Sequence, residues 1–307
     1  MSDAWIGKKG SRYSDFVAAA AQNLDVFSTF RRQKIYRSIV ETLDTDEGEA
    51  FFDVIEDPII RSLCLKSAPY DKIGSPVLGT YGGVRLSPTT PRYCKVISDL
   101  KNFFPQFDAF REIVEIGVGY GGLVRLLSAY KRETGSALER CIGLDLPSVA
   151  LLAGRYIEEC GGAAEAQFTT LENVSLDRCD LVVSNFAFSE FSISLQKEYL
   201  ENVIMKAHSG YLTMNTGLWR PFGFDHECYS VEELLSILPN AALTYDRPAS
   251  ATENYILVFG DHCLDDGVSL EDIRAESQRS IDERKARRSR LRFFRNLRMR
   301  LPTVIGG

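Results

Sequence analysis

The stretch Ile113-Val114-Glu115-Ile116-Gly117-Val118-Gly119-Tyr120-Gly121-Gly122-Leu123 leaves the chain few ways to fold. Its first residues are a short β-branched run, the pattern of a buried strand. Its end runs into Leu123-Val124-Arg125-Leu126-Leu127, a helical pattern. Between the two lies a turn of four glycines. Glycine tolerates positive φ and lets a ligand come close to the main chain. The helix that follows offers unpaired N–H groups at its N-terminus. A strand, a Gly-rich turn and a helix together mark the crevice where open α/β sheets bind nucleotide-type ligands. The spacing Gly117-x-Gly119-x-x-Gly122 also fits the dinucleotide fingerprint, a weak signal alone because glycines cluster in many turns.

The remaining pattern supports such a sheet. Strands are expected at 112–117, 141–145, 167–171, 180–185, 210–215, 243–245 and 255–259. Helices are expected at 95–108, 148–160, 195–207 and 231–238, the second closing at Gly161-Gly162. Alternating strand and helix argues a parallel, doubly wound sheet. Only a short turn around Asp246-Arg247-Pro248 separates the last two strands. That is too short for a parallel crossover, so they should pair antiparallel. Residues 11–67 read as helical, from Phe16-Val17-Ala18-Ala19-Ala20-Ala21 through a periodic run from Val26 to Leu43 to a helix after Pro58. Residues 68–93 hold prolines and paired glycines and read as a long loop carrying Tyr81, Arg85, Arg92 and Tyr93. Loops of that length are more often functional than short ones, and this one is expected to fold over the site. Four parts follow: 1–67 helical cap or dimer surface, with a plain packing layer equally open, 68–108 loop and helix, 109–262 ligand-binding fold, and 263–307 basic helical tail.

Two acidic residues sharpen the glycine turn. Glu115 stands two residues before Gly117. Asp145 closes the second strand, Cys141-Ile142-Gly143-Leu144-Asp145, where a carboxylate can accept hydrogen bonds from two ribose hydroxyls. The order acid, Gly-x-Gly, then an acid after strand two resembles motif I and its partner in class I S-adenosylmethionine (SAM) methyltransferases. A dinucleotide enzyme shares the glycines and the second acid but usually lacks the first, and its sheet is all parallel. The implied fold is therefore α/β: a class I SAM-methyltransferase Rossmann-like sheet, mostly parallel with an antiparallel closing hairpin, preceded by an N-terminal helical region. The cofactor implied is SAM. Its expected contacts are Glu115, Gly117, Gly119, Gly121, Asp145, Leu146, Asn185 and Phe186.

A closer resemblance lies in Ser184-Asn185-Phe186-Ala187-Phe188-Ser189-Glu190, in the helix with Gln196 and Tyr199, and in Gly210-Tyr211-Leu212-Thr213-Met214-Asn215. Together with Ser87-Pro88-Thr89 and Arg92-Tyr93 upstream, these look like a bacterial family of sugar O-methyltransferases, over roughly residues 70–260. Thr90-Pro91 departs from the family's Thr-Leu. The resemblance implies methyl transfer to a hydroxyl of a sugar or glycan precursor. Two readings stay open beside it: O-methylation of another small natural product, and a non-catalytic protein on the SAM fold. In-line transfer asks the protein mainly to align donor and acceptor. A weakly acidic sugar hydroxyl also needs a base within hydrogen-bond reach. Glu190 and His226 are the candidates. Tyr81, Arg92, Tyr93, Asn215 and Trp219 are candidates for the acceptor, Trp219 by stacking on a sugar face.

No metal site is expected. His208, His226 and His262 lack ligand spacing, and Asp225 and Glu227 beside His226 form no supported motif. The 7 cysteines are scattered without a CxxC pair. The first ten residues show no apolar leader, and no run of about 18 apolar residues exists. A cytoplasmic protein with reduced thiols is the expectation. The net charge of −6 conceals an asymmetry: residues 279–300 hold nine arginines and Lys285 against Asp282 and Glu283, a balance of +8 that leaves −14 elsewhere. With Leu291, Phe293, Phe294 and Leu297 among these cations, the tail reads as a peripheral contact with anionic membrane, while a polyanion contact and a merely solvated tail stay open. No specific nucleic acid is expected, and a homo-oligomer stays open.

Overall fold

The computed structural model describes residues 7–215, 227–264 and 267–298. Its centre is a seven-stranded sheet of order β5-β4-β3-β6-β7-β9-β8. The strands are β3 (Glu112–Ile116), β4 (Arg140–Leu144), β5 (Ala166–Thr169), β6 (Cys179–Asn185), β7 (Ala207–Asn215), β8 (Ala242–Tyr245) and β9 (Asn254–Phe259). Pairing is parallel from β5 through β7, while β9 runs antiparallel to both β7 and β8. The expected closing hairpin is thus present, inserted so that β9 lies inside and β8 forms the edge. This strand order and single reversed strand are the class I SAM-methyltransferase topology. β3 is buried at four of its five positions and β9 throughout. That is why these segments are near-continuous apolar runs: they are covered on both faces.

The two faces carry separate apolar clusters. One joins Val114, Ile116, Val182, Leu212 and Leu257 to α9 (Ile193–Asn202), α10 (Val231–Ile237) and the start of α11 (Leu270–Arg298), through Tyr199, Leu234 and Ile273. The other lies against α6 (Thr89–Phe103), α7 (Gly122–Thr134) and α8 (Pro147–Glu159). This second cluster also takes in Tyr13, Val17, Phe27, Phe30 and Tyr36 from the N-terminal helices. Those helices are α1 (Gly7–Gln22), α2 (Leu24–Thr29), α3 (Lys34–Arg37), α4 (Thr45–Asp53) and α5 (Pro58–Lys66). The N-terminal region therefore shares its core with the sheet.

Local sequence explains several boundaries. Asn23, Asp44 and Asp57 cap α2, α4 and α5 with side-chain oxygens, and Pro58 occupies the first turn of α5. Residues 68–93 differ from the expected irregular loop. They contain a hairpin of β1 (Gly79–Tyr81) and β2 (Val84–Leu86), turned by Gly82 and Gly83 at φ 53° and 82°. Two consecutive positive φ values suit the twist of a two-residue hairpin. α6 then begins at Thr89, so Arg92 and Tyr93 stand on its first turns, not in a loop.

The expected basic helical tail begins as part of the fold. α11 docks its first turns on the fold: Ile273 and Ser277 are buried, Arg274 pairs with Glu253, and Arg247 pairs with Glu276. Further on, Arg284 donates to the Ala249 carbonyl at 2.7 Å.

Candidate active site

The glycine turn sits where β3 and β6 lie side by side and the chain continues outward in both directions, the crevice position of open α/β sheets. Gly117 has φ 79° and faces the β6–α9 connection so closely that a Cβ would stand 2.1 Å from the Ala187 Cβ. Gly119 has φ 55°, and a Cβ there would stand 3.3 Å from Val40 of the N-terminal region. Val40 and Ala187 thus close on the turn from two sides. Gly121, at φ 83°, immediately precedes the first turn of α7.

Glu115 and Asp145 occupy the ends of neighbouring strands. The Glu115 carboxylate is 1% exposed and its Oε2 has no hydrogen-bond partner. Burial pushes this carboxyl well above the usual range; Asn185 opposes the shift and the charge of Asp145 adds to it. Asn185, at the end of β6, leaves both its amide nitrogen and its amide oxygen without a partner of good geometry. Beside the end of β5, the Thr170 hydroxyl is likewise buried and unpartnered. A buried polar atom left alone costs on the order of 1–3 kcal/mol, so several around one turn call for an explanation. Asp145 is held open-armed: Oδ2 accepts from the Gly119 N–H at 3.1 Å and Oδ1 from the Leu146 N–H at 2.8 Å. Burial raises its carboxyl to about 6 despite these two bonds.

The connection after β6 is braced on its underside. Ser184 accepts from the Phe188 N–H, Ser189 donates to the Phe186 carbonyl, and Gln196 ties the Phe188 carbonyl to the Tyr229 N–H. This bracing holds Phe186 at φ 69°, an unusual conformation for an aromatic residue. Arg92 lies over its ring, 4.4 Å from the centroid. Glu190 ends the same connection, and burial alone pushes its carboxyl up to about 7. Asn215, buried at the end of β7, offers its N–H toward the Ser189 hydroxyl at 3.4 Å. Tyr93 packs beside Tyr120 and Gly122, and the charge of Glu115 adds to burial in raising its phenol.

Glu115, Gly117, Gly119, Gly121, Asp145, Leu146, Asn185, Phe186, Glu190, Arg92 and Tyr93 therefore gather at one rim of the sheet, with Asn215 beside them. Tyr81 is not brought there, which corrects its expected role. It is buried against Phe52, and its hydroxyl donates to the Thr45 carbonyl, so it belongs to the packing of α4 on β1. His226 and Trp219 lie outside the described residues.

Two buried clusters escaped the sequence reading. Arg31, wholly buried, pairs with Glu41 and Asp71, donates to the Tyr120 hydroxyl at 3.0 Å and stacks its guanidinium 4.3 Å from the Tyr120 ring centroid. Glu41 accepts from the Ser87 and Thr89 hydroxyls, and Asp71 from the Ser87 N–H and the Thr90 hydroxyl. This network ties the N-terminal region, the start of α6 and the glycine turn together. In the second cluster, Lys95 pairs with Asp99, which also accepts from Tyr211 at 2.7 Å, while the buried Asp246 lies 4.0 Å from Lys95. Lys95 and Asp99 stand at i,i+4 on α6, but no spacing rule joins them to Tyr211 and Asp246, or Arg31 to Glu41 and Asp71.

No family model matches the chain, and no curated protein matches it. Among solved structures it is similar to protein 1320 of Thermoplasma acidophilum, at 13% identity over 66% of this chain and 96% of that one, with a TM-score of 0.40. The bifunctional kinase-methyltransferase WbdD aligns at 14% identity over 56% of this chain and 40% of its own, with a TM-score of 0.42. Magnesium protoporphyrin IX methyltransferase from Synechocystis PCC 6803, solved with bound SAH, aligns at 13% identity over 55% of this chain and 82% of its own, with a TM-score of 0.40.

Proposed function

We propose that the chain is a SAM-dependent O-methyltransferase acting on a hydroxyl of a sugar or glycan precursor. One observation carries the cofactor half of this reading. Buried polar atoms of Glu115 and Asn185 lack a hydrogen bond of good geometry beside a positive-φ glycine turn, on a sheet of this strand order. The residues fit the cofactor. Asp145 has carboxylate lone pairs to spare for ribose hydroxyls, Glu115 and Asn185 suit its amino-acid end, and Leu146 flanks the adenine position. When bound, SAM supplies an electrophilic methyl group on a positively charged sulfur.

The chain's own work is then alignment and proton removal. Phe186, fixed by the bracing beneath it and covered by Arg92, forms an apolar wall beside the transferred methyl. Glu190, raised to about 7, is ionised in part at neutral pH and takes the proton of the acceptor hydroxyl as its oxygen attacks. Arg92, Tyr93 and Asn215 line the acceptor side. The sugar itself rests on the resemblance in residues 184–190 and 210–215. Incubation with methyl-labelled SAM and a panel of nucleotide sugars and glycans, read by mass, tests it. Label on no sugar, with label on another hydroxyl compound, would remove the sugar and leave the transferase.

The end of α11 adds a contact with anionic membrane. Among the described residues no helix is long and apolar enough to cross a membrane. The cations after Arg284 instead suit a surface, each contributing about 1 kcal/mol near anionic lipid. Vesicle co-sedimentation should show binding by the full chain and loss of it in a chain stopped at Lys285, which keeps the docked turns. Equal sedimentation of both would dismiss the contact.

A further inference from the structure

We infer that the N-terminal region forms one wall of the cofactor site and that the Tyr36 hydroxyl is a hydrogen-bond partner of the bound cofactor. This rests on the reading of the chain as a SAM-binding protein. Tyr36 is 0% exposed, yet its hydroxyl has no hydrogen-bond partner. A core position with nothing to bond would be served better by phenylalanine, because a hydroxyl stripped of water and given no partner opposes folding. Beside a ligand site, the bound ligand can supply that partner.

Its position points to that ligand. The Tyr36 ring stacks on Tyr13 at 6.1 Å and meets Phe30 edge-on at 5.0 Å, and Phe30 in turn meets Tyr120 of the glycine turn at 6.5 Å. Val40, four residues on, is the side chain that closes over Gly119. Tyr13 is placed from the other direction. Its neighbour Ser14 shares a hydrogen bond of 3.1 Å with Ser148, in the first turn of α8 just after Asp145. The charge of Asp145 adds to burial in raising the Tyr13 phenol, which sets that phenol near the expected ribose position. Arg31 fixes the arrangement by holding the Tyr120 hydroxyl and Glu41 at once. Buried polar atoms without a hydrogen bond of good geometry thus stand on both sides of the turn: those of Glu115 and Asn185 from the sheet, and the Tyr36 hydroxyl from the N-terminal region. A ligand seated on the turn lies between them.

The test uses the full chain and Tyr36→Phe, which keeps the ring and its stacking. Calorimetry with SAM and with SAH, and thermal unfolding without ligand, are measured on both proteins. The expected result is a dissociation constant weakened about tenfold for both ligands, the size of one lost hydrogen bond. The ligand-free melting temperature should be unchanged or higher. Equal affinities would overturn the inference. So would a lower ligand-free melting temperature, which would show that the hydroxyl serves the fold. Hydrogen exchange supplies a second measure: SAH should protect amides 30–41 as it protects 117–121. Protection at 117–121 alone would overturn the inference while leaving SAM binding intact. Failure of the unaltered chain to bind either ligand would instead sink the SAM reading itself.

Discussion

Asp145 offers the most quantitative test of the cofactor site. Its carboxyl is raised to about 6 by burial, against a partial lowering by the Leu146 and Gly119 N–H groups. Ribose hydroxyls donate to the ionised form, so protonation competes with binding. A site with a pKa of about 6 is roughly 90% ionised at pH 7 and roughly 10% at pH 5. The apparent dissociation constant scales inversely with the competent fraction, so it should rise about tenfold over that interval. The ligand's own carboxyl at about 3.5 and amine at about 7.7–8.0 titrate outside it. Asp145→Asn removes the charge and should weaken SAM by about 1.5–3 kcal/mol at pH 7 while taking Asp145's share of the pH slope away. Stability should move the other way. The folded pKa lies above the unfolded value of about 3.9, so the folded state holds the extra proton. This contribution is full below about pH 3.9 and is lost as pH rises through about 6. Two units correspond to at most ~2.7 kcal/mol, which the partial exposure of Asp145 reduces to about 1–2. The Asn variant should therefore melt no lower than the unaltered protein at pH 7.5. Titration calorimetry from pH 5 to 7 with both proteins decides the matter. A flat profile in the unaltered protein, or wild-type affinity in a folded Asn variant, would refute the assignment.

Three further outcomes are expected. Glu190→Gln should lower kcat by about 10²–10⁴ while SAM affinity stays within about twofold, and the remaining pH–rate profile should lose its rise through about 7; full turnover by this variant would place the base elsewhere. Gly117→Ala should abolish SAM binding, since its Cβ would stand 2.1 Å from that of Ala187 at a φ of 79°. Gly135→Ala, at a φ of 75° with nothing within 4 Å, should cost only about 1 kcal/mol of stability and no affinity, as read by thermal melts and calorimetry. Arg31→Met strands two buried carboxylates and should cost about 3–5 kcal/mol in a denaturant melt, whereas a loss under about 1 kcal/mol would mean the network relaxes freely.

What was legible in the sequence was what neighbours in sequence decide. The glycine turn, the acids at 115 and 145 and the strand–helix alternation are local patterns, and the short turn at 246–248 was enough to require antiparallel pairing. The hairpin in residues 68–93 was legible too, in Gly82-Gly83 between Tyr81 and Val84, but the surrounding prolines drew it into a loop. That error carried Arg92 and Tyr93 off the helix on which they stand. Tyr81 differs from its expected place for a related reason. Exposed-type residues in a glycine-rich stretch suggest a surface, and only the packing of α4 shows that Gly48 and Gly79 make room for this ring. Arg31, Glu41 and Asp71 could not have been joined by any spacing rule, because their link is a buried charge network that exists only after α6 docks. The same network changes what the N-terminal region is. Residues expected to form a helical cap, a dimer surface or a packing layer are bonded to Tyr120, and Tyr120 is part of the turn that defines the fold. A truncation before residue 68 should therefore remove more than a lid. It would strip Arg31 and Glu41 from the network, uncover Asp71 and Tyr120, and take the Val40 side chain from Gly119. Soluble expression of a chain starting at residue 68, with a cooperative melt and undiminished SAM affinity, would contradict that account.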